Sequence, residues 1–219
     1  MKYRTVSTIA VLLFYVPFLS AEPLGFSYSG SGGSVNVLVE SAPVHVAQWF
    51  IALAAYCLPF FLRDPSSWSA SPAGLVRRCC GFVIDFHICF SLTVVPFTLL
   101  AVGVEYLSTG DFVWSFERSE SIEADAFLMP LGAATLVALL ALLSFPLARQ
   151  QRSVGATVLG YGLRADKPVS LWASCCRTLY GFWTLAAGIL SVPSAARRDD
   201  RRLWHDLAYD VYPLKVDVR

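Results

Sequence analysis

Two charged side chains sit where the surrounding sequence is apolar: Asp85 in "CGFVIDFHICFSL" and Arg177 in "LWASCCRTLYGFW". A charge in the middle of a membrane-spanning helix costs about 2.5–3.5 kcal/mol on insertion scales, and such groups face the bundle interior or water. Two chemistries fit Asp85. It can be a structural carboxylate paired with an arginine from a neighbouring helix, or a site that takes up a proton or small cation. Arg78, Gly81 and Asp85 fall at i, i+3 and i+7, on one helical face. Gly81 lets another backbone come close at that point. His87 lies about 200° around the helix from Asp85, off that face, and reads as a lipid-facing or core histidine.

Other reactive residue types lack the spacing that chemistry needs. Cys57, Cys79, Cys80, Cys89, Cys175 and Cys176 form no C-x-x-C and no zinc pattern; they read as small apolar filler. There is no G-x-S-x-G, P-loop or H-E-x-x-H. His205 and Asp206 are adjacent, but no nucleophile accompanies them. An enzyme is not expected, nor a metal or a cofactor.

The elements that must position these residues follow from composition. Of 219 residues 56% are hydrophobic and 15% charged, against roughly a quarter charged in soluble domains. The net charge of +1, with no basic stripe, argues against nucleic acid as a partner. Five apolar runs stand out, at 5–21, 44–62, about 80–104, about 126–147 and about 171–192. A bilayer crossing takes roughly 20 apolar residues. The first run is short, follows Lys2 and Arg4 and ends in "LSA", so it reads as a signal-anchor or as a cleaved signal.

Lysine and arginine in the loops set the orientation. Residues 22–43 have none and 105–125 only Arg118, whereas 63–79 and 148–170 are basic. The first four runs therefore alternate, starting from a cytoplasmic end. The fifth has basic flanks on both sides and Arg177 within it, leaving about 15 uninterrupted apolar residues, nearer a re-entrant segment than a span. Segment 22–43 reads as a Gly/Ser-rich loop with one short strand at "SVNVLV". The stretch "RRLWHDLAYDVYPLKV" places Leu203, Leu207 and Val211 at i, i+4 and i+8, an interfacial helix that Pro213 would end. The expected fold is an all-α polytopic membrane bundle of four spans, a fifth short or re-entrant helix and a C-terminal interfacial helix. Residues 1–72 form an N-terminal extension with two apolar segments; 73–219 form the main membrane domain.

Three motifs in order carry a family resemblance. "GLVRRCCGFVID" resembles the opening of the RDD family of bacterial membrane proteins. "VGATVLGYGLRADKPVSLWASCCRTL" is similar to its linker, and "RRLWHDLAYDVYPLKV" to its closing motif. The resemblance covers about residues 73–217. By match, the family's arginine and two aspartates are Arg78, Asp85 and Asp206. Tyr209-Asp210 stand where the family usually has Gly-Thr, a departure that falls on the local turn. The family is mostly of unknown function; transport has been suggested, with some members linked to sodium–proton exchange.

The resemblance implies a multi-pass protein of the bacterial inner membrane. With the buried charges it suggests one self-neutralising cluster: Arg78, Asp85, Arg177 and Asp206, with the tail folded back so that Asp206 meets Arg78. Asp85 is then expected to touch Arg78 or Arg177. Two functions compete. One is transport of small cations coupled to protons, with Asp85 titrating; a core this small, without an internal repeat, would have to oligomerise. The other is a structural or accessory role toward a membrane-protein partner, without transport. The lipid bilayer is the common partner in both.

Overall fold

A computed structural model of the chain describes residues 2–16, 25–31, 34–40, 42–61, 67–121, 128–186 and 188–217. Helices dominate. In order they are α1 Lys2–Tyr15, α2 Pro43–Phe61, α3 Leu75–Thr109, α4 Leu128–Ala148, α5 Val154–Leu159, α6 Leu171–Ala186, α7 Gly188–Ala196 and α8 Trp204–Ala208. Strands β1 Gly25–Ser31, β2 Ser34–Glu40, β3 Ser67–Pro72, β4 Ser115–Ser121, β5 Tyr161–Ala165 and β6 Val211–Asp217 complete the fold.

Among the described residues three helices are long and apolar enough to cross a bilayer, at Pro43–Phe61, Leu75–Leu107 and Pro130–Ala148. The first apolar run, expected as a fourth span or signal-anchor, is helical over the 14 residues of α1. At about 1.5 Å per residue that is roughly 21 Å, short of a hydrocarbon core of about 30 Å. Residues 17–21 lie outside the described residues. By the same rise α3, with 35 residues, is roughly 52 Å long, so it extends beyond any bilayer core.

Prolines interrupt these helices at Pro59, Pro96 and Pro146. A proline removes the hydrogen bond to the carbonyl four residues earlier, which in lipid must find another donor. Helix α2 supplies two. The Trp49 indole N–H donates to Leu92 O at 3.2 Å, the carbonyl freed by Pro96. The Tyr56 hydroxyl donates to Leu142 O at 2.8 Å, the carbonyl freed by Pro146. Gln48 Nε2 donates to Phe14 O at 3.2 Å, at the end of α1. Val11 and Phe14 of α1, Ala52 and Ala55 of α2, Ile88 and Leu92 of α3 and Val154 of α5 form one buried cluster. The N-terminal extension and the main domain thus share a core.

Two small antiparallel sheets complete the fold, with β2 before α2 and β3 after it in the chain. One has the order β1-β2-β4, pairing Ser31 with Ser34 around a hairpin and Val37 with Arg118. The single strand expected at "SVNVLV" is therefore the centre of a three-stranded sheet. The other has the order β3-β6-β5, with Leu163 opposite Pro213 and Ser67 opposite Asp217. Register shifts between Trp68 and Pro72. There the Pro213 carbonyl accepts from Ala73 N at 2.8 Å.

The C-terminal interfacial helix needs correcting. Only Trp204–Ala208 is helical, five residues, and Val211–Asp217 is the central strand of the second sheet. The spacing of Leu203, Leu207 and Val211 spans a helix end and a strand start. Val211, Tyr212 and Val216 are of the β-branched and aromatic types that fit a half-buried sheet, and Val211 is fully buried. Because β5 and β6 pair, the chain enters α6 and leaves α8 at the same end of the bundle.

Candidate functional site

The site is built where the start of α3, the middle of α6 and the short α8 meet. Arg78 lies in the first turn of α3 and Arg177 midway along α6, with 8% and 7% of their surface exposed, while Asp206 of α8 has none. Asp206 Oδ2 accepts from Arg78 Nη2, and Oδ1 accepts from Arg177 Nη2. Oδ2 also accepts from Leu203 N at 3.2 Å, capping the first turn of α8. Arg78 Nη1 donates to Arg201 O at 3.0 Å. One carboxylate thus ties α3 to α6 while it caps α8, and Arg78 holds the loop leading into α8.

Burial alone would push the Asp206 carboxyl up, but the Arg177 and Arg78 guanidiniums, with His205, hold it below the usual carboxylate range. His205 is 8% exposed, with Nε2 3.5 Å from Asp206 Oδ1. Burial holds the ring down to about 4; the pull of Asp206 opposes this, and Arg177 and Arg78 add to it. His205 is therefore neutral at pH 7, and the cluster carries one net positive charge. Arg177 Nε is buried without a hydrogen-bond partner among the described residues.

Asp85 does not join this cluster. Neither Arg78 nor Arg177 pairs with it; both are taken by Asp206. The expected contact of Asp85 with an arginine is thereby corrected. Its Oδ2 accepts from Ser153 Oγ at 2.6 Å and its Oδ1 from Gly155 N at 2.7 Å. Ser153 is the N-cap of α5, and its hydroxyl accepts from Ala156 N. A carboxylate at this end complements both the unpaired amides and the helix dipole. At the other end Arg4 Nε donates to Val158 O at 2.7 Å. A six-residue helix is thus held by an acid at its start and a base at its finish.

The glycines explain how α5 gets so close. A Cβ on Gly155 would sit 2.1 Å from Gly81 O, and a Cβ on Gly81 would sit 2.3 Å from the Tyr161 hydroxyl oxygen. Two backbones meet at Gly81, as its place on the polar face of α3 suggested. Tyr161 fills the remaining space and donates to Arg78 O at 3.4 Å. Burial pushes its phenol above the ordinary tyrosine range.

His87 accepts or donates at Nδ1 to the Tyr15 hydroxyl of α1 at 2.8 Å, a contact the sequence did not reveal. Of the Tyr209-Asp210 pair, Asp210 takes the left-handed φ of 49°, which aspartate tolerates better than most residues. Arg202 binds Asp200 at 2.8 Å and lies 4.4 Å from the Tyr212 ring centroid, so it too is held within the chain.

The arrangement can fix a tail and a short helix against a membrane bundle. Among the described residues, no group of three or more His, Cys, Asp or Glu is placed to hold a metal. The model of the RDD family matches residues 72–210, a stretch that contains Arg78, Asp85, Arg177 and Asp206. No curated protein and no solved structure matches the chain.

Proposed function

The chain belongs to the RDD family, and from that premise we propose that it is a membrane protein with a structural or accessory role, its motif charges serving as internal locks. The observation that supports this is how the carboxylates are used. Asp206 spends both oxygens on Arg78 and Arg177, and Asp85 spends both on Ser153 and Gly155. A carboxylate tied to the protein through both oxygens is suited to holding elements together. In this reading the protein is not an enzyme. It sits as a multi-pass protein in the bacterial inner membrane, its basic end toward the cytoplasm and α1 kept as a signal-anchor. Its partner is a second copy of the chain or another membrane protein.

One observation favours proton-coupled cation transport instead. Asp85 is held by a hydroxyl and an amide, and among the described residues no paired arginine fixes its charge. Ion and proton flux in proteoliposomes separates the two. The structural reading expects no flux of common monovalent cations above that of empty vesicles. A pH-dependent flux in wild type that is lost in Asp85→Asn would establish transport and overturn it.

A further inference from the structure

The last two turns of α2 and the end of α4 leave a cleft that the charge clusters do not use. Tyr56, Cys57, Phe60 and Phe61 line one side, and Phe145, Arg149 and Gln151 the other, around a volume of about 510 Å³. Its walls are aromatic. Phe60 packs on Phe145 with ring centroids 5.5 Å apart, and Phe61 is 81% exposed. Arg149 closes the cleft at the basic end, its guanidinium carbon 5.4 Å from the Phe145 ring centroid. Among the described residues no carboxylate pairs with Arg149.

The backbone around Arg149 is fixed. Gln150 N donates to Leu147 O at 2.9 Å and Gln151 N to Pro146 O at 2.8 Å, with Gln150 at a left-handed φ of 52°. This closing turn satisfies the Pro146 and Leu147 carbonyls of α4 and leaves Arg149 as the charged group at the helix end. An apolar trough at the end of two apolar helices, topped by an exposed cation, matches the two parts of an anionic lipid.

We propose that this cleft binds an anionic glycerophospholipid, one acyl chain along Phe60, Phe61 and Phe145 and the phosphate at Arg149. The site rests on the membrane-embedded reading, not on what the motif charges do. The aromatic wall is apolar and serves any acyl chain; Arg149 supplies the preference for net negative headgroups.

The test is native mass spectrometry of the purified full chain in detergent, with phosphatidylglycerol or phosphatidylcholine of the same acyl chains. The expected result is one phosphatidylglycerol retained several-fold better than phosphatidylcholine. Arg149→Gln should remove the preference while keeping a wild-type melting temperature. Phe61→Ser should weaken retention of both lipids. Equal retention by wild type, or a preference that survives Arg149→Gln, overturns the site. So does an equal rise in melting temperature from inorganic phosphate, which would show an anion site without a chain. Protein that stays in solution without detergent and binds neither lipid would instead defeat the membrane reading beneath it.

Discussion

Asp206 and Asp85 show how two carboxylates within the family match come to different surroundings. Asp206 is fully buried and survives as an anion because two guanidiniums and a backbone amide surround it. Removing one member of such a set strands a buried charge, at roughly 3–5 kcal/mol. His205 adds a testable pH dependence. Its folded value, down to about 4, lies below the ordinary histidine value of about 6.5. Between those values the unfolded chain binds more protons than the folded one, so stability falls as pH drops from 6.5 toward 4. Thermal melts over that range should show this loss, at most about 1.4 kcal/mol per pH unit, and His205→Gln should flatten it. Asp206 works in a lower window: its contribution is complete above the unfolded carboxylate value and is lost only in stronger acid. A His205→Gln profile identical to wild type would remove the histidine from this picture.

The pairing of Asp206 with Arg78 could be anticipated because the three motifs bring one arginine and one aspartate from distant segments to the same end. The partners of Asp85 could not, because Ser153 and Gly155 belong to a helix of six residues that has almost no periodicity to read. Its signals were only the N-cap Ser153 and the left-handed Gly160, at φ 67°. Likewise Leu203, Leu207 and Val211 share a helical spacing by accident, since sheet pairing rather than local pattern decides Val211.

Helices α2 and α5 are where the packing is most specific. Tyr56 and Trp49 each satisfy a carbonyl that a proline has orphaned in a neighbouring helix. Interhelical side-chain hydrogen bonds in membranes average about 0.6 kcal/mol and reach about 1.7. Tyr56→Phe should sit at the upper end, because Leu142 O has lost its own helical donor to Pro146. Denaturation in detergent measures it, and a Tyr56→Phe as stable as wild type would mean another donor replaces the hydroxyl. Gly155→Ala should cost more. The new methyl would meet the Gly81 backbone, which has no rotamer to change, and overpacking of this kind costs about 1–3 kcal/mol or more. A stable Gly155→Ala would show that α5 can lift away from α3.

Across the protein, the second sheet decides how the fifth apolar run is threaded. Strands β5 and β6 are neighbours, so the segment between them starts and ends at the same end of the bundle, as its basic flanks also suggested. Cysteines placed at Lys167 and Arg197, in a background without native cysteines, should react from the same membrane face, and a cysteine at Asp111 from the other. Labelling of Lys167→Cys and Arg197→Cys from opposite faces would require α6 and α7 to cross. The apolar runs and loop charges made the bundle legible. The two sheets were much less so, because Gly/Ser-rich and Pro-rich strands such as "GFSYSGS" and "SWSASP" resemble loops until their partners are known.

The most direct test of the central claim, that Asp206 locks the tail to the bundle through buried arginines, is a double-mutant cycle on unfolding stability in detergent with Arg78→Gln, Asp206→Asn and the pair. Residues in direct contact couple by about 0.5–3 kcal/mol; for this buried charge pair a coupling above about 1.5 kcal/mol is expected, the double variant losing clearly less than the two single losses together. Additive losses, within about 0.5 kcal/mol, would mean that Arg78 and Asp206 act independently and that the lock does not exist.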